Sequence, residues 1–372
     1  MGSATSSDSS GGSATTAGTA GTATTTAATT ATDGSGSDDG SSTGTPVELT
    51  PMFVAMGDGG WTASSCDRGR TWTTHAFSDE QGDHTQWTGF GGLAYGPGGF
   101  VAGFGWGAEG GHILHATDGL SWEDLPSESF VDDGVAIGYG IYTSGVAALP
   151  SSFMIFSQRV WHSTNGVDWV TTDVSLPPGA EQLRQLRGFP ESALLVAAVE
   201  SQSGNQHPTG NFVVVSEDEG ATWSEGTGFD GNCASPIQHS GDIEMIGDTL
   251  LVATGDVCRS PDRGLTWEVY TQPTGGSIQD LGHDDDGFIA AAGTQLMTSS
   301  DGVTWTTKGE IGTQLRAVAF VDGVYAGITS PGAAPWYSDD GVTWQAGELD
   351  AAVVGDLWIR DFAAVMIEGT CG

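Results

Sequence analysis

The feature that most constrains this chain is an eight-residue stretch that it repeats. Ser65-Cys66-Asp67-Arg68-Gly69-Arg70-Thr71-Trp72 has full copies at Ser216–Trp223 and Ser260–Trp267. A form one residue shorter recurs at Ser163–Trp169, Ser299–Trp305 and Ser338–Trp344, and Ala116–Trp122 is a degenerate short copy. The residue types suit a tight turn between two strands. Ser and Asp side chains can bond backbone N–H groups inside the turn, and Gly accepts a positive φ there. Thr and Trp then open the next strand, where β-branched and aromatic residues fit a half-buried pleat. The acidic position is Asp67, Asp118, Asn165, Asp218, Asp262, Asp301 and Asp340 in the seven copies.

The closing tryptophans, from Trp72 to Trp344, are spaced by about 45 residues, the period of a four-stranded propeller blade. The pattern resembles the Asp-box, or bacterial neuraminidase repeat, of sialidases, sortilin-type receptors, xyloglucanase-like glycosidases and Ycf48-type photosystem assembly factors. That resemblance implies an all-β, seven-bladed β-propeller. It says little about chemistry, because those relatives share a fold and not a function.

Residues 1–46 are Ser, Thr, Ala, Gly and a few Asp, with no aromatic residue, Lys or Arg. Such a segment buries too little apolar surface to offset its ordering entropy, so a disordered tail or tether is expected at 1–46 and the propeller at 47–372. The tail has neither the basic start nor the apolar centre of a signal peptide. Met1-Gly2-Ser3-Ala4-Thr5-Ser6 fits the myristoylation pattern formally, a match that such composition meets by chance. The tail resembles the stalk of bacterial surface lipoproteins, which implies an extracellular, periplasmic or surface-tethered protein.

Charge narrows the partners. With 47 acidic against 10 basic residues the net charge is −37, which repels nucleic acid and anionic membrane. No apolar run approaches the roughly 20 residues that a membrane-spanning helix needs. A monomer binding a glycan or an extracellular protein, without cofactor or metal, is the expectation.

From Val47 onward one unit recurs: strand, turn, apolar strand, loop, third strand, repeated turn, fourth strand. The second strands, such as Phe53-Val54-Ala55-Met56 and Leu250-Leu251-Val252-Ala253, are apolar without alternation, as strands covered on both faces are. A single helical turn is considered only near Glu181-Gln182-Leu183-Arg184. Too few residues precede Trp72 for a whole blade, so the C-terminal strand around Leu357–Phe362 should supply the innermost strand of the first and close the ring. In that geometry the repeated turns share one face with the first-to-second turns, and the second-to-third loops and blade crossings share the other. Cys66 and Cys371 fall on the turn face and Cys233 and Cys258 on the other, so the pairs Cys66–Cys371 and Cys233–Cys258 are expected.

Catalysis has thin support in the residues. The Arg-Ile-Pro signature of sialidases is missing, yet Arg187, Arg316 and Arg360 each stand near the start of an expected innermost strand. Pairing with neighbouring carboxylates explains arginines in an acidic protein equally well. His112 and His115 point to opposite faces of a strand, and His283-Asp284-Asp285-Asp286-Gly287 lacks the spacing of a calcium loop and reads as a solvated turn. The six tryptophans outside the repeats, Trp61, Trp87, Trp106, Trp161, Trp336 and Trp358, all map to the face away from the repeated turns. They are the candidate recognition surface for a sugar or protein. A binding module is therefore the first reading, an exo-acting glycoside hydrolase the second, and an assembly factor the third.

Overall fold

A computed structural model describes residues 48–372 apart from 76–77, 80–81, 84–90, 105–110, 137–142, 144, 157–158, 179, 181–182, 200–211, 230–242, 254–255, 272, 274–275, 331, 351–358, 370 and 372. The described residues lie in one compact unit, Val47–Gly372. It is a seven-bladed β-propeller, each blade built on an antiparallel sheet whose innermost strand comes first in the chain in blades 2 to 7 and last in blade 1. The innermost strands of blades 2 to 7 are Gly92–Gly96, Gly145–Ala148, Leu183–Phe189, Ile243–Ile246, Ile278–Asp284 and Gln314–Val321. Leu183 and Arg184 are thus strand, not the helical turn considered above, because the bonds to Val199 and Ala198 override local helical spacing.

Blade 1 is assembled from both ends of the chain. The strand Ile359–Glu368 runs antiparallel to Leu49–Gly57, with Leu49 opposite Glu368 and Met56 opposite Asp361. This satisfies the edge that the N-terminal three strands would expose. Phe53, Trp72 and Phe362 pack there with ring centroids 6.0–6.3 Å apart. Cys66 and Cys371 form a disulfide across the same junction, with Cα atoms 6.0 Å apart. Cys258, also disulfide-bonded, lies in the strand Val257–Ser260 and not in the loop before it. Cys233, its expected partner, lies outside the described residues.

The apolar runs have a simple cause. Along Leu49–Gly57, Met52, Val54 and Met56 enter a cluster shared with blade 2, while Phe53 and Ala55 enter one shared with blade 7. Alternate side chains therefore fill opposite seams, and both sets must be apolar. Four crossings also pair in parallel with the start of an outer strand. Ser175 meets Thr222, Thr227 meets Thr266, Phe130 meets Trp169 and Thr71 meets Glu348, which blunts those blade edges. Blade 3 extends further. Asp133 and Gly134, both at positive φ, turn the chain into an added hairpin of Phe130–Asp132 and Val135–Ala136.

The repeated turns share one hydrogen-bond scheme, except that Ala116 takes the serine's place in blade 2 and the Trp305 indole N–H of blade 6 is buried without a partner. In blade 1 the Ser65 hydroxyl donates to Asp67 Oδ1 at 3.0 Å and accepts the Gly69 N–H at 3.0 Å. Asp67 Oδ1 accepts the Thr71 N–H at 2.8 Å, Oδ2 accepts the Thr71 hydroxyl at 2.6 Å, and the Trp72 indole donates to the Gly69 carbonyl at 2.9 Å. Each turn glycine has a positive φ, between 68° and 91°. These bonds hold the turn carboxyls low; Asp340 is brought down to about 2 by the Thr343 and then the Val342 backbone N–H.

Blade 3 keeps the scheme with the polarity reversed. Asn165 replaces Asp, Asp168 replaces Thr, and Asn165 Nδ2 donates to Asp168 Oδ2 at 2.8 Å. Asn165→Asp is therefore expected to destabilise the protein by about 1 kcal/mol through facing carboxylates, and adding Asp168→Thr to recover most of it. A urea-denaturation cycle checks this; additive effects would show that the two positions are not coupled.

Candidate functional site

The innermost strands surround the central channel, and in blades 1, 2, 3 and 7 they carry small residues at alternate positions, Ala363, Gly92, Ala94, Gly145, Ala147, Ala317 and Ala319, of which Ala94, Ala147, Ala317 and Ala319 are buried in the seams between blades. Arg187, Glu244, Asp280 and Asp361 occupy the same kind of position in blades 4, 5, 6 and 1. The three carboxylates are no more than 7 % exposed. Arg187 reaches across the axis, with Nη2 3.6 Å from Glu244 Oε2 and Nη1 3.9 Å from Asp361 Oδ1. Burial disfavours its charge, but Glu244, Asp361 and Asp280 outweigh that and raise its pKa.

Each carboxylate also bonds backbone. Asp361 Oδ2 accepts the Leu93 N–H of blade 2 at 2.8 Å, and Asp280 Oδ2 accepts the Val318 N–H of blade 7 at 2.7 Å. Glu244 Oε1 accepts the Met245 N–H at 2.8 Å and faces His283 Nδ1 at 3.5 Å. Burial pushes the Glu244 carboxyl up, yet His283 and then Arg187 hold it below its ordinary value. His283 is raised in turn, first by that bond to Glu244.

The mouth of the channel away from the repeated turns has its own device. Blades 6, 7 and 1 each carry a one-residue bulge at the start of the innermost strand, skipping Gln279, Arg316 and Arg360. A bulge turns its side chain out of the regular alternation. Arg316 Nη1 donates to Gln279 Oε1 at 2.6 Å, so two of these residues meet at the rim. Blade 4 is bulged as well, at Gln185. Arg187, two residues further along, therefore lies within the channel and not at the rim with Arg316. The Arg360 side chain lies outside what is described.

The expected tryptophan surface is corrected in part. Trp61 is 6 % exposed among Phe53, Ala55 and Ala63, and Trp161 is 2 % exposed with its ring edge-on to Phe130. Both fill seams and offer no face to a ligand, because glycines such as Gly57 leave room for an indole to fold inward. Trp336 lies mid-strand opposite Gly327 and is half-buried. Trp87, Trp106 and Trp358 lie outside the described residues.

A second cluster escaped sequence reasoning. Lys308, the chain's one lysine, donates to Asp284 Oδ2 at 2.7 Å, Tyr325 donates to the same oxygen at 2.6 Å, and Lys308 Nζ also contacts the Tyr325 hydroxyl. A bulge that skips Lys308 turns its ammonium into the seam between blades 6 and 7. Asp284 is thus buried in an ion pair, and only its neighbours Asp285 and Asp286 form the solvated turn expected there. Burial first, and then the bond to Asp284, push the Tyr325 hydroxyl up to about 12, far from a nucleophile's range. His112 and His115 have separate partners, Asp124 and the Gly98 carbonyl. Among the described residues no group of side chains is arranged to hold a metal ion, and no helix is long and apolar enough to cross a membrane.

The fold and channel thus define a seven-bladed propeller with a charged, braced axis. No family model matches the sequence, and no curated protein matches it. Solved structures are similar in architecture. Ycf48 bound to a D1 peptide is 16 % identical over 81 % of this chain and 94 % of that one, with a TM-score of 0.49. Ycf48 from Cyanidioschyzon merolae is 15 % identical over 76 % and 95 %, with a TM-score of 0.48. A GH74 xyloglucanase from Xanthomonas campestris is 16 % identical over 69 % of this chain, which spans only 45 % of that enzyme, with a TM-score of 0.46. At these values function has to be argued from the site itself.

Proposed function

We propose that this protein is an exported or surface-tethered propeller of the Asp-box kind that binds a glycan or a protein at the channel mouth without turning it over. The observation that carries the reading is the set of aligned bulges at Gln279, Arg316 and Arg360 in blades 6, 7 and 1, with the Arg316 and Gln279 side chains meeting at the rim. Trp87, Trp106 and Trp358, by their sequence positions, are candidate contacts around it. The intramolecular disulfide is compatible with an oxidising compartment.

A hydrolase reading has one observation in its favour: Glu244 and Asp361 both lie within 4 Å of one guanidinium, so the two carboxyls are neighbours. A general acid, however, needs a raised pKa and a free oxygen. Glu244 is held low, and both residues bond backbone N–H groups. A panel of fluorogenic glycosides and a glycan and peptide array separate the readings. Array binding with no turnover is expected; turnover that is lost in Glu244→Gln would establish the hydrolase instead.

A further inference from the structure

We infer that the Cys66–Cys371 disulfide is a redox latch on ring closure, holding the C-terminal strand, and with it one wall of the channel, in place only in the oxidised protein. The position of Cys66 motivates this. It occupies the second place of the repeated turn, filled elsewhere by Thr117, Thr164, Glu217, Pro261, Ser300 and Asp339, all of them exposed. The turn scheme makes no use of that side chain, since Ser65 and Asp67 carry it. The cysteine is thus an addition to a finished turn, and what it adds is a bond to a residue just past the last strand.

The rest of blade 1 is tied to its neighbours independently. The Ser64 hydroxyl donates to the Gly119 carbonyl of blade 2 at 2.5 Å, Arg68 pairs with Asp322 and Asp339 of blade 7, and the Glu348 N–H donates to the Arg70 carbonyl. The strand Ile359–Glu368 is anchored at its start by Asp361 and by Phe362, which packs with Phe53 and Trp72, and Ile367 enters the seam with blade 2. Beyond its ladder and the disulfide, its C-terminal end is held by the Gly369 N–H on the Glu48 carbonyl and by the Thr50 hydroxyl on the Gly369 carbonyl. Its last residues are therefore the part that can fray before the ring opens. Fraying that spreads back along the ladder removes Asp361 from Arg187 and from the Leu93 N–H. On the binding reading above, the latch therefore governs whether the channel mouth is intact.

The chemistry is thiol–disulfide exchange. A dithiol's thiolate attacks one protein sulfur and expels the other as a thiolate, its second thiol then displaces the attacked sulfur from the mixed disulfide, and two electrons pass to the protein. Cys66 and Cys371 leave as thiols and the reagent as a cyclic disulfide. Both cysteines are partly exposed, whereas Cys258 is fully buried, so the closure bond is the one within reach.

The test is amide hydrogen exchange on the folded full-length protein, oxidised, after brief dithiol treatment, and as the Cys66→Ser/Cys371→Ser variant, with thiol mapping to confirm which bond was cut. Exchange of residues 361–368 is expected to rise by roughly 30- to 1,000-fold, the factor a typical native disulfide supplies, with the innermost strands of blades 4 and 5 changed by less than about threefold. An equal rise in every blade would mean that the bond acts only on global stability; no rise would mean that the ladder alone holds the strand. Either result overturns the latch. If the variant does not fold, dithiol treatment of the folded oxidised protein gives the same three readings. No ligand is needed, so the latch can fail while the binding reading stands.

Discussion

A chain ending at Ala346 is expected to lose its single cooperative melting transition. The cut removes the strand Ile359–Glu368, which faces the whole of Leu49–Gly57, and leaves the fully buried Met52–Met56 bordering an open edge. It also removes Phe362 from the cluster with Phe53 and Trp72. The disulfide lost with it spans 305 residues, and closing so long a loop is worth about 6 kcal/mol in the chain-entropy picture. That one contribution is comparable to the roughly 5–15 kcal/mol by which a domain is stable. Calorimetry of the truncated protein should show a broad, low transition. A transition like that of the full chain would mean that the ring closes elsewhere.

The second large effect is expected from Arg187→Ala: a loss of about 3–5 kcal/mol near neutral pH, because Glu244 and Asp361 are left buried without their guanidinium. The pH dependence gives the sign. In the wild type Glu244 titrates below its unfolded value of 4.5, so its contribution is complete above that pH and is lost as the pH falls. In the variant the pull of Arg187 is gone and only His283 and the Met245 N–H oppose burial, so the carboxyl moves upward from its wild-type value. The penalty should then be greatest at neutral pH and shrink as the pH falls through the raised value. Urea denaturation at pH 7 and pH 5 checks this. A gap between variant and wild type that stays constant or widens on acidification would contradict the brace.

The architecture was legible because it depends on local chemistry that repeats. Ser, Asp, Gly, Thr and Trp each have a fixed role in the turn, and seven copies in register leave a half-blade at each end of the chain that only closure can satisfy. Even the reversed pair in blade 3 is visible as Asn165 and Asp168. The site was less legible because bulges are not. One skipped residue shifts the alternation, so Arg316 meets Gln279 at the rim while Arg187, equally near a strand start, points into the channel. The same blindness hid Lys308, which reads as an exposed residue of an outer strand until its bulge turns it towards Asp284. The tryptophans misled for another reason. A tryptophan among glycines looks exposed in sequence, yet Trp61 folds over Gly57 and Trp161 sits in a strand opposite Ile155.

Binding at the channel mouth is tested most directly by mapping a ligand from the array onto the two faces of the propeller. Titration calorimetry would compare the wild type with Arg316→Ala and Trp106→Ala on the proposed face, and with Val342→Ser, an exposed position of a repeated turn on the other. Affinity is expected to fall by roughly tenfold or more in each of the first two, the range of interface hot spots, and to be unchanged in the third. Full affinity in Arg316→Ala and Trp106→Ala, or a loss confined to Val342→Ser, would contradict recognition at the channel mouth.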